Sequence, residues 1–72
     1  FSVPSEGHVT ISIYDITGRL ITTLVDEDMS SGYHSILWNG MDMFGLNISA
    51  GLYIYSLQAE GVALNRKMVL MK

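Results

Sequence analysis

The chain has 72 residues, 49% of them hydrophobic and 15% charged, with a formal net charge of −3. That composition suits one domain with one dense core and excludes a disordered tail, while a stability on the order of 4–11 kcal/mol leaves little to support a strained active site or a deep pocket. The four basic residues, Arg19, Arg66, Lys67 and Lys72, cannot build the basic stripe that nucleic acid requires; no apolar run approaches the ~20 residues of a membrane span; and the absence of cysteine removes disulfides as staples.

Ser2-Val3-Pro4-Ser5 reads as an edge or entry segment, because proline cannot donate to a ladder. His8 to Tyr14 alternates with period two, Val9, Ile11 and Ile13 on one side and His8, Thr10, Ser12 and Tyr14 on the other, which predicts a half-buried strand. Asp15-Ile16-Thr17-Gly18 has Asp first and Gly fourth, as a type I turn prefers, and Gly18 supplies a positive φ. A second strand follows from about Arg19 to Val25, so the two form a hairpin. Asp26 to Gly32 is expected to be a polar loop; its run Asp26-Glu27-Asp28 could attract a cation or a basic partner, but reads first as a solvated charge cluster that keeps strand edges apart.

Tyr33 to Trp38 is expected as the third strong strand, with His34, Ile36 and Trp38 inward and Trp38 at the centre of the core. Asn39 to Gly51 is a loop of turn formers containing a second Asp-x-x-Gly turn, Asp42-Met43-Phe44-Gly45. Leu52 to Ala59 forms the fourth strand, with Tyr53, Tyr55 and Leu57 on one face; Glu60-Gly61 turns the chain, and Val62 to Met71 is the last strand. No helical stripe occurs, so the fold class is all-β, an antiparallel β-sandwich of the immunoglobulin-like kind with about six to seven short strands. Trp38, Tyr53 and the glycines Gly18, Gly40, Gly45 and Gly51 are its expected structural residues.

Chemistry-bearing patterns are few. No serine lies in a Gly-x-Ser-x-Gly elbow, no His-x-x-x-His or Cys pair offers a zinc site, and the chain is read as a non-enzyme with no cofactor and no metal. His34 reads as a satisfied core or boundary histidine. Asn39, Asp42 and Asn47 could supply oxygens to calcium, yet only one of them is charged, and turns closed by Asn and Asp side chains explain the segment as well. Gly40, Gly45 and Gly51 make no phosphate loop, since no helix and no lysine follow. Tyr33, Tyr53, Tyr55 and Trp38 read either as core and rim or as a sugar-binding face.

Several segments in order carry a resemblance. Val9-Thr10-Ile11-Ser12-Ile13-Tyr14-Asp15-Ile16-Thr17-Gly18-Arg19 resembles the opening V-x-I-x-I-Y-D-x-x-G-R of a bacterial module. Gly32 to Gly40 resembles its G-x-H-x-x-x-W-D-G, with Asn39 where Asp is usual; Asp42 and Gly45 fit x-D-x-x-G, and Ser49 to Tyr53 resembles x-S-G-x-Y. Arg66-Lys67-Met68-Val69-Leu70-Met71-Lys72 resembles the closing R-K-M-V-L-x-K. The module is the type A C-terminal sorting domain of the type IX secretion system, which is similar to the immunoglobulin-like domain of the flagellar hook-capping protein.

The resemblance implies that residues 1–72 are a single C-terminal sorting domain, a fragment of a larger exported protein that is secreted or held at the cell surface. Its implied partners are the outer-membrane secretion machinery and an upstream cargo domain of the same chain. The implied recognition residues are Arg66, Lys67, Met68, Val69, Leu70 and Lys72. Phe1 to Gly7 resembles the entry Y-x-L-P-x-x-G, whose usual preceding strand is not in this sequence. An open sheet edge and strand pairing with another copy are therefore expected. The alternatives are a structural or assembly module of the hook-capping type and a carbohydrate-binding accessory domain of an exported enzyme.

Overall fold

A computed structural model describes residues 1–71 of the chain. The alternation of Val9, Ile11 and Ile13 with smaller polar residues is realised as an extended β2, Gly7–Asp15, preceded by a short β1, Ser2–Val3. The remaining strands are β3 (Leu20–Met29), β4 (Gly32–Tyr33), β5 (Gly51–Ala59) and β6 (Val62–Leu70). All pairings are antiparallel, in a four-stranded sheet ordered β3-β2-β5-β6 and a two-stranded sheet of β1 and β4. The chain is thus all-β, with two sheets as an immunoglobulin-like sandwich requires.

The two Asp-x-x-Gly sequences fold into the same turn. At the first, Gly18 N–H donates to the Asp15 carbonyl (3.0 Å) and Asp15 N–H to the Arg19 carbonyl (3.0 Å), while Asp15 Oδ1 accepts from the N–H groups of Thr17 and Arg19 (both 2.9 Å). At the second, Gly45 donates to Asp42, Asp42 to Leu46, and Asp42 Oδ1 accepts from Phe44 and Leu46. Each turn ends on a left-handed glycine, Gly18 at φ 91° and Gly45 at φ 79°, where a Cβ would strain the backbone. The carboxylate satisfies N–H groups that a bare turn leaves open.

Two expected elements differ. The acidic run is not a loop: β3 continues through Asp26-Glu27-Asp28 to Met29, paired with Gly7 to Thr10 of β2. His8 lies across from these carboxylates and offsets the mutual repulsion that made a strand look unfavourable. Conversely, the third strong strand shrinks to Gly32–Tyr33. Ser2 pairs with Tyr33 and Val3 with Gly32, and Phe1 and His34 exchange two bonds of 2.8 Å each. Among the described residues, Ser35 to Trp38 have no ladder partner. The expected alternation survives only in part: Tyr33 and Leu37 are 92% and 95% exposed and His34 and Trp38 are half-buried, but Ile36, expected inward, is exposed because no ladder holds the segment against the sheet.

The core has two parts. Val3, Val9, Ile11, Val25 and Leu57 form one cluster, and Ile13, Ile21 and Tyr53 form the other. Its centre is therefore aliphatic, Ile13 and Val9 being the most deeply buried large side chains. Trp38 packs on the margin of the second cluster, its ring edge-on to Tyr53 (centroids 5.8 Å apart) and its indole N–H donating to the Met41 carbonyl. A ring with a polar edge is held at the boundary by that bond. Ile13→Ala is therefore expected to cost about 2–5 kcal/mol, a large part of the stability of so small a domain, whereas Leu37→Ala should stay within about 0.5 kcal/mol. Thermal unfolding of the two variants checks this, and equal losses would misplace the core.

Candidate functional site

Among the described residues β6 pairs on one side only, with β5, and is the edge of the larger sheet. The expected recognition residues lie along it. Residues directly opposite across antiparallel strands share a face. Met68 lies opposite Tyr53 and Arg66 opposite Tyr55, so both share the inner face with those rings; Lys67 and Val69, opposite Ile54 and Leu52, share the outer face. Leu70, opposite Gly51, packs with Met68 against the cluster of Ile13 and Tyr53. Arg66, Lys67 and Val69 are exposed, and among the described residues Arg66 bonds the neighbouring Asn65 carbonyl alone, at 3.5 Å. The recognition set is thus split between core closure and solvent. Lys72 lies outside the described residues.

The structural residues fall around this strand and its neighbours. Gly40 is buried beside Leu70, and Gly51 opens β5. Tyr53 is buried with its hydroxyl donating to the Ser49 carbonyl (2.7 Å). Between β6, the centre of the sheet and the unpaired segment 35–38 lies an open, mainly apolar cavity of about 440 Å³, lined among others by Phe1, Ile36, Trp38, Tyr55, Met68 and Leu70. Trp38, Tyr53 and Tyr55 belong to one cluster, but Tyr33 stands apart on β4, so the four aromatics do not share a face.

His34 Nε2 bonds the Ser30 carbonyl at 2.8 Å and its ring stacks on Phe1. The oxygens of Asn39 and Asp42 are turned onto backbone N–H groups of Met41, Phe44 and Leu46, closing turns as the sequence allowed. Among the described residues no group of three His, Cys, Asp or Glu side chains is arranged to hold a metal ion.

A charged constellation not foreseen in the sequence is on the opposite edge. His8 Nε2 lies 2.6 Å from Asp26 Oδ1, and Nδ1 lies 3.2 Å from Asp28 Oδ1. With a carboxylate at each ring nitrogen, the doubly protonated imidazolium is the form that makes both bonds. The hydrogen bond to Asp26, then that to Asp28, raises the His8 pKa above 6.5. At the hairpin turn, bonds from the Thr17 hydroxyl and then the Arg19 N–H hold the Asp15 carboxyl below its ordinary value. His8 was findable in the sequence only as an outward residue on β2; its partners depend on a register that the sequence does not state.

Residues 3–62 match a family described as FlgD Ig-like domain. No curated protein and no solved structure matches the chain. β6 lies almost wholly beyond the matched residues.

The His8 pair sets a pH dependence with a definite sign. A folded-state pKa above the unfolded value means that the folded chain binds the proton more tightly. The stabilisation is then complete below pH 6.5 and is lost as pH rises through the folded pKa. The melting temperature of the parent should exceed that of His8→Gln at pH 5.5, and the gap should close by pH 8.5. A gap independent of pH would mean that the imidazolium is not held.

Proposed function

The chain belongs to the FlgD Ig-like domain family, and on that premise we propose that it is a non-catalytic assembly module of the hook-capping type, acting through contacts with other protein surfaces. The family match over residues 3–62 carries this reading. Two features of the fold support it. The smaller sheet covers the larger one incompletely, leaving an open apolar cavity and large exposed side chains such as Leu37 and Phe44. The larger sheet also ends in two long strands, β3 and β6, each paired on one side.

A second reading, secretion and sorting, has its own observation. The segment Arg66 to Lys72 resembles the closing motif of type IX sorting domains, and Arg66, Lys67 and Val69 are exposed on the edge strand. On this reading an attached protein is carried across the outer membrane and the domain resides outside the cell or at its surface.

One experiment separates the two. The domain is fused to a reporter with an export signal in a bacterium that has type IX secretion, beside a control carrying an established sorting domain. The assembly reading expects the reporter to stay in the periplasm while the control is exported. Export that falls when the exposed Lys67 is changed to Ala, in a variant that melts like the parent, would replace it with the sorting reading.

A further inference from the structure

The two edges of the larger sheet carry opposite charge. β3 bears Asp26, Glu27 and Asp28 in succession, all exposed; β6 bears Arg66 and Lys67, both exposed. Each strand is paired on one side, β3 with β2 and β6 with β5, apart from one bond that Met43 N–H makes to the Ile21 carbonyl near the start of β3. The half of β3 from Val25 to Met29 is a regular ladder free of bulges on its β2 side. β6 carries no proline and no register shift. Over these regular stretches charge guards the edges against pairing, and the two charges attract.

We propose that β6 of one copy pairs with β3 of a second copy, head to tail, through the register that sets Glu27 opposite Arg66. The strand directions allow it. β6 is antiparallel to β5, β5 to β2 and β2 to β3, so two copies laid side by side in the same orientation present β6 antiparallel to the neighbour's β3.

The faces agree as well. Val25, Glu27 and Met29 lie opposite Ile11, Val9 and Gly7, on the inner face of the sheet, and Asp26, opposite Thr10, lies on the outer face. On β6 the inner face holds Leu64, Arg66 and Met68, opposite Leu57, Tyr55 and Tyr53, and the outer face holds Lys67. With Glu27 against Arg66, Val25 meets Met68 and Met29 meets Leu64, apolar on apolar at inner positions. Asp26 meets Lys67, charge on opposite charge at an outer position. A shift by one residue would send every side chain to the wrong face. A shift by two would set Glu27 against Met68 or Leu64 and forfeit the central ion pair. This interface is heterologous, so it builds rows of copies unless curvature closes them. It stands on the two edges and not on the proposed function.

The test is a charge swap followed by sedimentation velocity at low and high salt. The parent should associate with rising concentration at low salt and separate at high salt. Arg66→Glu alone and Glu27→Arg alone should each weaken association roughly tenfold, by turning an attraction into a like-charge pair. The double variant Glu27→Arg/Arg66→Glu should recover it. All four proteins should melt alike, since both positions are exposed. The chain has no cysteine, so Glu27→Cys and Arg66→Cys variants mixed under oxidation should give a disulfide between copies, while Glu27→Cys with Asn65→Cys should not. A parent that is monomeric at all concentrations in low salt overturns the proposal. So does association that ignores the Arg66 charge, or a double variant that fails to recover.

Discussion

Every other feature of this fold answers to a mismatch between its two layers. The inner face of β2 and β5 presents Val9, Ile11, Ile13, Tyr53 and Leu57, all buried, and an apolar face of that width needs a second layer. What lies over it is a ladder of two residues on each strand, Ser2–Val3 on Gly32–Tyr33, followed by an unpaired segment. Phe1, Ile36 and Trp38 cover part of the rest and leave the open cavity beside Met68 and Leu70. The small layer is held by specific devices: the paired bonds of Phe1 and His34, the stack of their rings, and the indole bond of Trp38 to Met41. Stability therefore concentrates in the β2–β5 centre, and the margins are left with exposed apolar groups and unpaired ladder edges.

Much of the fold was legible because its signals are local. The period-two pattern of His8 to Tyr14 gives β2 within a residue at each end, and the two Asp-x-x-Gly turns need only the carboxylate and the glycine that form them. What was not legible depends on partners distant in sequence. Counting back from the turn of Asp15 to Arg19 would set His8 opposite Asp26, but two register shifts in β3 set it opposite Asp28, so that its ring reaches both. A bulge leaves no clear mark in composition. Without the histidine between them the acidic residues read as a loop. The segment from Tyr33 has the alternation of a strand, yet a strand also needs a neighbour, and alternation does not say whether one exists.

The candidate site shows the same division. That Arg66 to Leu70 form a strand follows from their pattern, but their separation into Met68 and Leu70 against the core and Arg66, Lys67 and Val69 toward solvent follows from the pairing with β5. A protein contact can use only the second group without opening the first. This is why charge at positions 66 and 67 is the feature that can vary in function at little expense to the fold. The acidic residues of β3 have the same freedom, limited by the ring of His8. An edge with adjustable charge over a fixed aliphatic centre suits the proposed contact role.

Backbone amide exchange, residue by residue and at a dilution where copies are separate, tests this distribution most directly. The account predicts that the amides of β2 and β5 between Val9 and Tyr14 and between Tyr53 and Gln58 exchange slowest, together through global unfolding. Amides of Ser35 to Leu37 should exchange fast, and those of β3 and β6 should alternate between protected and unprotected along each strand, as only one side is paired. Uniform slow exchange along β6 and through Ser35 to Leu37 in the dilute monomer would contradict it, because those groups would then be paired and the edges closed.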